Sequence, residues 1–285
     1  MNKKIAIILL NYNSSSDCAK CVSFLKRQID VEQEIIIVDN GSQEYDIECV
    51  RNLCRIEGCT LLESKNNAGY AAGNNVGLRY AAQKGYELAL IANPDMEFPQ
   101  TDYLLKMVRV IEKDEGIAVC GSDIQTVEGV HQNPKAISCN HSWTNSLWWI
   151  KALFKHKTTS DIPEWISDPF HSRYCTCLNG CCLLLRMSFI KNIGFLDENT
   201  FLYGEEPILG RQVELAGKKM YYYGDACAIH DHKKSKEGSA AFCQKHWRHS
   251  QLYYIKRYSG YSLLGKCLAL CSISLYFFLL GLKNK

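Results

Sequence analysis

Short apolar runs that stop abruptly at polar turn residues set the rhythm of this chain. Lys4 to Leu10 is the first, closed by Asn11-Tyr12-Asn13, and Glu34 to Val38 the second, closed by Asp39-Asn40-Gly41-Ser42. Thr60 to Glu63 is a weaker third that leads into Asn66-Asn67-Ala68-Gly69-Tyr70. Leu88 to Ile91 ends at Asn93-Pro94-Asp95, and Ile117 to Cys120 follows. Runs of this length, bounded by turn residues, read as strands buried on both faces. Helical spacing fills the gaps. Cys18, Cys21, Val22 and Leu25 share a face behind a Ser15 or Ser16 cap. A helix reaches Lys84 with Gly85 placed to stop it, and another runs from about Thr101 to Lys113. This alternation predicts an α/β fold: a Rossmann-like, mainly parallel central sheet with helices on both faces. The unusual polar loops all follow strands, so they converge on the edge where open α/β sheets bind ligands.

From Asp123 to about Tyr174 the rhythm is lost, and Trp143, Trp148, Trp149 and Trp165 sit among polar and basic residues. Two readings stand side by side, an insertion that covers the site and an ordinary aromatic-packed loop. Regularity returns with Leu183 to Leu185, a short helix near Ser188 to Asn192, and a helix from Glu205-Glu206-Pro207 to Ala216. Lys219 to Tyr223 and Ala226 to Ile229 are strand-like and end in His230-Asp231-His232. Lys233 to Arg257 is rich in lysine, arginine and aromatic residues, and Leu263 to Leu282 is apolar on all sides apart chiefly from Lys266. A membrane-seated helix beside a basic collar is the preferred reading, with a helix buried in a homodimer as the alternative.

Composition adds bounds. A net charge of +3 and ordinary apolar content point to no nucleic-acid partner. Lys3-Lys4 is followed by too short an apolar run for an export signal, so the fifteen cysteines are expected to be free thiols in a reducing cytoplasm. The cluster Cys175, Cys177, Cys181 and Cys182 lacks the paired spacing of a zinc site.

The chemistry lies in the loops. Asn-Pro forces the chain out of the strand at once, which delivers Asp95 at a strand end where a carboxylate suits a divalent cation and the cation suits a diphosphate. Asp39 can accept from a pyrimidine imide or a ribose hydroxyl, with Asn11 and Asn13 on the same wall. Gly69 and Gly73 would let the backbone approach a ligand at a helix N-terminus. His230 is a candidate second metal ligand, which tilts the choice toward Mn²⁺ with Mg²⁺ open. Of Glu205 and Glu206, at most one faces the ligand, where it could act as a general base; both also complement the helix dipole.

Six segments in order carry a resemblance: KIAIILLNYN (Lys4–Asn13), IIVDNGS (Ile36–Ser42), NAGYAAGNNVGL (Asn67–Leu78), NPD (Asn93–Asp95), GFLDE (Gly194–Glu198) and LYGEE (Leu202–Glu206), with Ala228-Ile229-His230 after them. Together they resemble the family 2 glycosyltransferases, and within these the rhamnosyltransferase-like branch, from near residue 3 to about 235. The resemblance implies a GT-A domain over 1–235, with a nucleotide-binding half (1–122) and an acceptor and catalytic half (123–235). A membrane-associating helical tail would occupy 236–285. It implies inverting transfer from a UDP- or dTDP-sugar, aided by Mn²⁺ or Mg²⁺, onto a saccharide acceptor. A lipid-linked acceptor at the cytoplasmic face of the inner membrane, in cell-surface polysaccharide assembly, would fit the tail.

By the same resemblance Asp39 matches a nucleotide-contacting aspartate, and Asn93 and Asp95 match a D-x-D-type metal motif with asparagine in first place. Asn67, Gly69 and Asn74 fall in the donor segment, and His230 matches a histidine that touches metal or diphosphate. Glu206 falls at the catalytic base, commonly an aspartate. Pro207-Ile208 replaces a small residue and a second aspartate, which puts the acceptor contacts in doubt. A non-catalytic sugar-nucleotide-binding scaffold and a sugar nucleotidyltransferase are the rival readings. The second would be expected to show a basic glycine-rich loop after the first strand, which Asn11 to Ser16 does not supply.

Overall fold

The structure is a computed structural model that describes residues 4–138, 141–150, 168–232 and 240–283. Trp165 and Lys233 to Ser239 lie outside the described residues. The strands are β1 (Ile5–Asn11), β2 (Gln33–Asp39), β3 (Thr60–Glu63), β4 (Leu88–Ala92), β5 (Met96–Glu97), β6 (Ile117–Thr126), β7 (Arg173–Cys175), β8 (Cys182–Arg186) and β9 (Lys219–His230). They form one sheet in the order β3-β2-β1-β4-β8-β6-β9-β5, with β7 paired to β9. β3, β2, β1 and β4 run parallel, and β6 and β9 share their direction across the reversed β8. β5 and β7 run against β9. The sheet is therefore mainly parallel, as the alternation of elements predicts.

The helices are α1 (Ser15–Leu25), α2 (Glu44–Glu57), α3 (Tyr70–Gln83), α4 (Tyr103–Lys113), α5 (Met187–Asn192), α6 (Glu205–Leu215), α7 (Ala240–Arg257) and α8 (Leu263–Lys283). Successive strand residues point to opposite faces, and the core divides accordingly. Ile5, Ile7 and Leu9 of β1 pack with Val22, Val50 and Met107 from α1, α2 and α4. Ala6 and Ile8 pack with Leu78, Ile190 and Leu209 from α3, α5 and α6. Burial of both faces explains why β1 and β4 read as unbroken apolar runs.

Three features depart from the sequence reading. α2 was not foreseen, because its charged surface leaves a narrow apolar stripe of Ile47, Val50 and Cys54 with Leu53 beside it. The two strand-like segments near the end of the sheet are one strand, β9, in which a register shift opposite Ser122 and Asp123 absorbs Gly224, Asp225 and Ala226. β8 enters antiparallel, and the described segment Thr176 to Cys181 that leads into it from β7 carries no helix.

The irregular insertion divides in two. Trp143, Trp148 and Trp149 turn toward the tail, where Trp149 donates to Ser272 Oγ (3.0 Å) and Trp148 packs on Tyr276. The stretch around Gln132 to Ala136 turns the other way, toward the loop ends of the sheet. α7 lies on the segment that leads into α6. Ser250 donates to the Leu202 carbonyl (3.0 Å), and the Tyr253 and Tyr258 hydroxyls both donate to Asp197 Oδ2 at 2.7 and 2.5 Å.

Gly210 seats α6. A Cβ there would fall against the Thr176 carbonyl oxygen, and backbone cannot move aside as a side chain can. Gly210→Ala should lower the urea midpoint, because overpacking of about 1–3 kcal/mol exceeds the roughly 1 kcal/mol of helix propensity that alanine adds.

Candidate active site

Neighbouring parallel strands bring the first polar loops together. Asn11 and Asp39 pair in register at the ends of β1 and β2, and β4 lies on the other side of β1. Asp39 and the Asn93-Pro94-Asp95 turn are thus two strand spacings apart, roughly 10 Å, along one edge. Asp39 is nearly buried. Its Oδ1 accepts from Asn11 Nδ2 (2.9 Å), and its Oδ2 accepts from the Gly41 and Ser42 amides (3.1 Å each).

Asn11 is the strut of this corner. It is fully buried, and Nδ2 also reaches Ser42 Oγ (3.0 Å) and Asp46 Oδ2 (2.8 Å). Its Oδ1 accepts from the Ser14 amide and hydroxyl. Asn11 therefore positions Asp39 rather than forming an open wall. Asn13 has a positive φ of 52° and accepts the Gln43 amide at Oδ1 (2.8 Å), which ties the β1 and β2 loops together.

The donor segment after β3 is held in the same way. Asn67 Oδ1 accepts from Asn40 Nδ2 (3.0 Å) and from the Gly69 amide (2.9 Å). Gly69 has φ 92°, and a Cβ there would fall against the Phe201 carbonyl oxygen, the group that accepts the Tyr70 amide at 2.9 Å. A Cβ on Gly73 would meet Leu10 at 2.5 Å. Both glycines thus give space to other parts of the chain, where a ligand was expected. Asn74 is buried and turns back to its own helix, donating to the Tyr70 carbonyl (3.0 Å).

The third loop carries the sharpest arrangement. β5 pairs with the end of β9, placing Met96 opposite His230, and the Asp231 amide donates to the Asp95 carbonyl (2.9 Å). Asp95 Oδ1 then lies 3.3 Å from His230 Nε2, and His232 Nδ1 lies 3.7 Å from Asp95 Oδ2. His230 Nδ1 faces the Gln132 side-chain carbonyl (3.2 Å). A proton on Nδ1 would satisfy that contact and leave Nε2 available to a cation. Asp95 Oδ1 and His230 Nε2 are both shielded from solvent and lack any hydrogen-bond partner. Among the described residues, Asp95, His230 and His232 are the one group of three such side chains whose donor atoms all lie within 4.8 Å of one another. A carboxylate with two imidazoles fits a divalent cation of the Mn²⁺ type.

The segment Asn179 to Cys181 links this cluster to α6. The Asn93 amide donates to the Cys181 carbonyl (2.8 Å), and the Gly180 amide reaches Glu206 Oε1 (3.4 Å). Asn179 Nδ2 donates to the same Gln132 oxygen that faces His230. Lys135 forms a direct ion pair with Glu206 Oε1. Burial pulls the Lys135 ammonium down, but Glu206 outweighs it and leaves it above its ordinary value.

Glu205 and Glu206 both line a cavity of about 20 Å³ with Tyr70, Ile91, Leu183 and Leu209, and of the two it is Glu206 that pairs with Lys135. Burial, then the neighbouring Glu206 charge, pushes the Glu205 carboxyl up to about 7. Ile208, in place of the second aspartate that the resemblance implies, is buried beside it.

Sequence reasoning missed Gln132, Lys135, Gly180 and His232. The first three come from stretches without periodicity. His232 carried a signal, since residues i and i+2 of a strand point to one side.

Glu205 has a stability consequence. Its folded pKa of about 7 lies above the ordinary carboxyl value of 4.5, so stability is greatest below that ordinary value and falls as pH rises through 7. Glu205→Gln should leave the melting temperature nearly unchanged at acidic pH. At alkaline pH it should raise it by on the order of several degrees, as calorimetry at both pH values would read.

Comparison with known proteins bears on the family and the fold. The Glycosyl transferase family 2 model matches residues 6–172. The low-salt glycan biosynthesis hexosyltransferase of Haloferax volcanii is 27% identical over 203 residues, covering 71% of this chain but 59% of that relative's length. The N-acetylglucosaminyl-diphospho-decaprenol L-rhamnosyltransferase of Mycobacterium tuberculosis is 23% identical, covering 92% of this chain and 87% of the relative. The mannosyltransferase PcManGT from Pyrobaculum calidifontis, solved with GDP-Man and Mn²⁺, superposes with a TM-score of 0.60 at 15% identity, over 96% of this chain and 74% of its own. That likeness bears on the fold, which is GT-A. With the family model matching more than half its length, this chain belongs to glycosyl transferase family 2.

Proposed function

We propose that the protein is an inverting glycosyltransferase that moves a sugar from a UDP- or dTDP-sugar to a saccharide acceptor, with a lipid-linked saccharide as the preferred class. The observation that carries this reading is the solvent-shielded pair Asp95 Oδ1 and His230 Nε2, 3.3 Å apart and without a hydrogen-bond partner at the end of a central strand. Asp95, His230 and His232 would hold Mn²⁺ or Mg²⁺, and such an ion offsets the charge that builds on a leaving diphosphate. Asp39 and the Asn67–Gly69 turn would receive the nucleoside, with Asn11, Asn13 and Asn40 holding that wall in shape.

Glu206 is the proposed base. It takes the proton of the acceptor hydroxyl as that oxygen attacks the anomeric carbon from the face opposite the diphosphate. One displacement with one base gives inversion, in contrast to the paired carboxylates of a glycosidase. Glu206 starts from its ion pair with Lys135, so one oxygen is already engaged and the other is left for the acceptor. The apolar Ile208 packs into the core and removes only a second acidic contact. The names of the two relatives support a hexosyl or rhamnosyl donor, and α8, long and apolar enough to cross a membrane, supports a lipid-linked acceptor.

Two measurements test the roles. Glu206→Gln should lower kcat about 10²–10⁴-fold with donor affinity unchanged, as nucleotide release and calorimetry would read; near-normal turnover would remove Glu206 from the mechanism. Asp95→Ala should abolish Mn²⁺ binding, whereas Gln132→Ala, which frees the His230 ring, should weaken it about 10–100-fold. Donor binding without turnover on any acceptor would favour the scaffold reading.

A further inference from the structure

α8 is built inside out. The side that packs on the protein carries Gly265, Ala269, Ser272 and Tyr276, where Ser272 Oγ accepts from Trp149 and donates to the Ser146 carbonyl (2.8 Å). The opposite side carries Leu264, Leu268, Cys271, Leu275, Phe278 and Leu279, all exposed, with Leu264 at 70% and Phe278 at 63%. Their spacing of three, four and seven residues is one helical stripe. An exposed stripe of this size marks an interaction surface.

The packed side sets the orientation of the helix. Trp143 lies against Gly265, Ile255 of α7 meets Ala269 and Ile273 in a small core, and Trp247 of α7 packs on Tyr276 and Phe277. Protein thus covers one side of α8 from Gly265 to Phe277, about 18 Å at 1.5 Å per residue. If α8 crossed a bilayer, α7 would be drawn into the hydrocarbon with it. α7 exposes Lys245, Arg248, Lys256 and Arg257, and charges of that kind are expensive there. Lying in the membrane plane avoids this, because only the leucine and phenylalanine stripe then enters the acyl layer.

The charge pattern chooses the occupant. From Ala240 to Lys285 the chain has seven lysines and arginines and no acidic residue. Two copies meeting through this face would bring like charges together, whereas an anionic lipid surface attracts them. We propose that α8 seats the protein on anionic lipid as an in-plane helix, with its Leu264–Leu279 stripe in the bilayer and α7 at the headgroups. This deepens the membrane part of the proposed function and rests on it. Because α7 also grips Asp197 and Leu202, the seated helix pair holds the segment leading to Glu206 close to the lipid surface.

The test uses the full chain with a protease site appended after Lys285, added to sealed vesicles of phosphatidylcholine with or without phosphatidylglycerol. The expected result is sedimentation with the phosphatidylglycerol vesicles, weakened by salt, with the appended site cleaved by protease outside. Leu268→Glu combined with Leu275→Glu should weaken that binding about tenfold or more, given the transfer free energy of buried leucine. Binding with the appended site protected would overturn the in-plane seating while leaving the membrane reading intact. Equal binding to both vesicle types would overturn the anionic preference, and undiminished binding of the double variant would overturn the stripe. Dimers in solution with no vesicle binding would overturn the membrane reading as well. None of these readouts depends on turnover, so the sugar-transfer reading stands or falls separately.

Discussion

A carboxylate oxygen and an imidazole nitrogen that face each other across 3.3 Å in a solvent-shielded site form a pair that a cation between them would satisfy. Asp95 Oδ1 and His230 Nε2 are held in that relation by backbone, through the pairing of β5 with β9 and the bond from the Asp231 amide to the Asp95 carbonyl. The rest of the site is arranged about this constraint. Gln132 fixes the ring by its far nitrogen, Asn179 holds Gln132, and the next residue, Gly180, meets Glu206. The candidate cation site and the candidate base are thereby joined through a short polar chain rather than by direct contact.

Much of the fold was legible because a strand buried on both faces leaves little freedom in composition. β1, β2 and β4 each read as apolar runs that end in ligand-type loops, and the sheet sets those ends side by side. α2 escaped notice because an edge helix needs only a narrow stripe, here Ile47, Val50 and Cys54. The direction of β8 could not be read, since Leu183-Leu184-Leu185 is equally apolar either way.

The site was legible in part. Asp95, His230 and Glu206 stood in recognisable strings, and two of them meet directly. Lys135 and Gln132 could not be found by pattern, because each acts on a partner 71 or 98 residues further along the chain. They come from a stretch without periodicity, where residue type carries no record of direction. Gly69 and Gly73 show the converse limit: the need for a missing Cβ was visible, but not the identity of the neighbour, which proves to be Phe201 and Leu10.

The grip of α7 on the loop before α6 ties the C-terminal helices to the segment that carries Glu206. Asp197 is held by two tyrosine hydroxyls from the α7 region, and Gly204 has room only because it lies against Ser250 without a Cβ of its own. The basic segment is therefore a support of the loop that leads to Glu206 rather than an appendage. A shortened chain would have to keep the residues up to Ser259, since an earlier cut would leave the Asp197–Gly204 loop without its outer support.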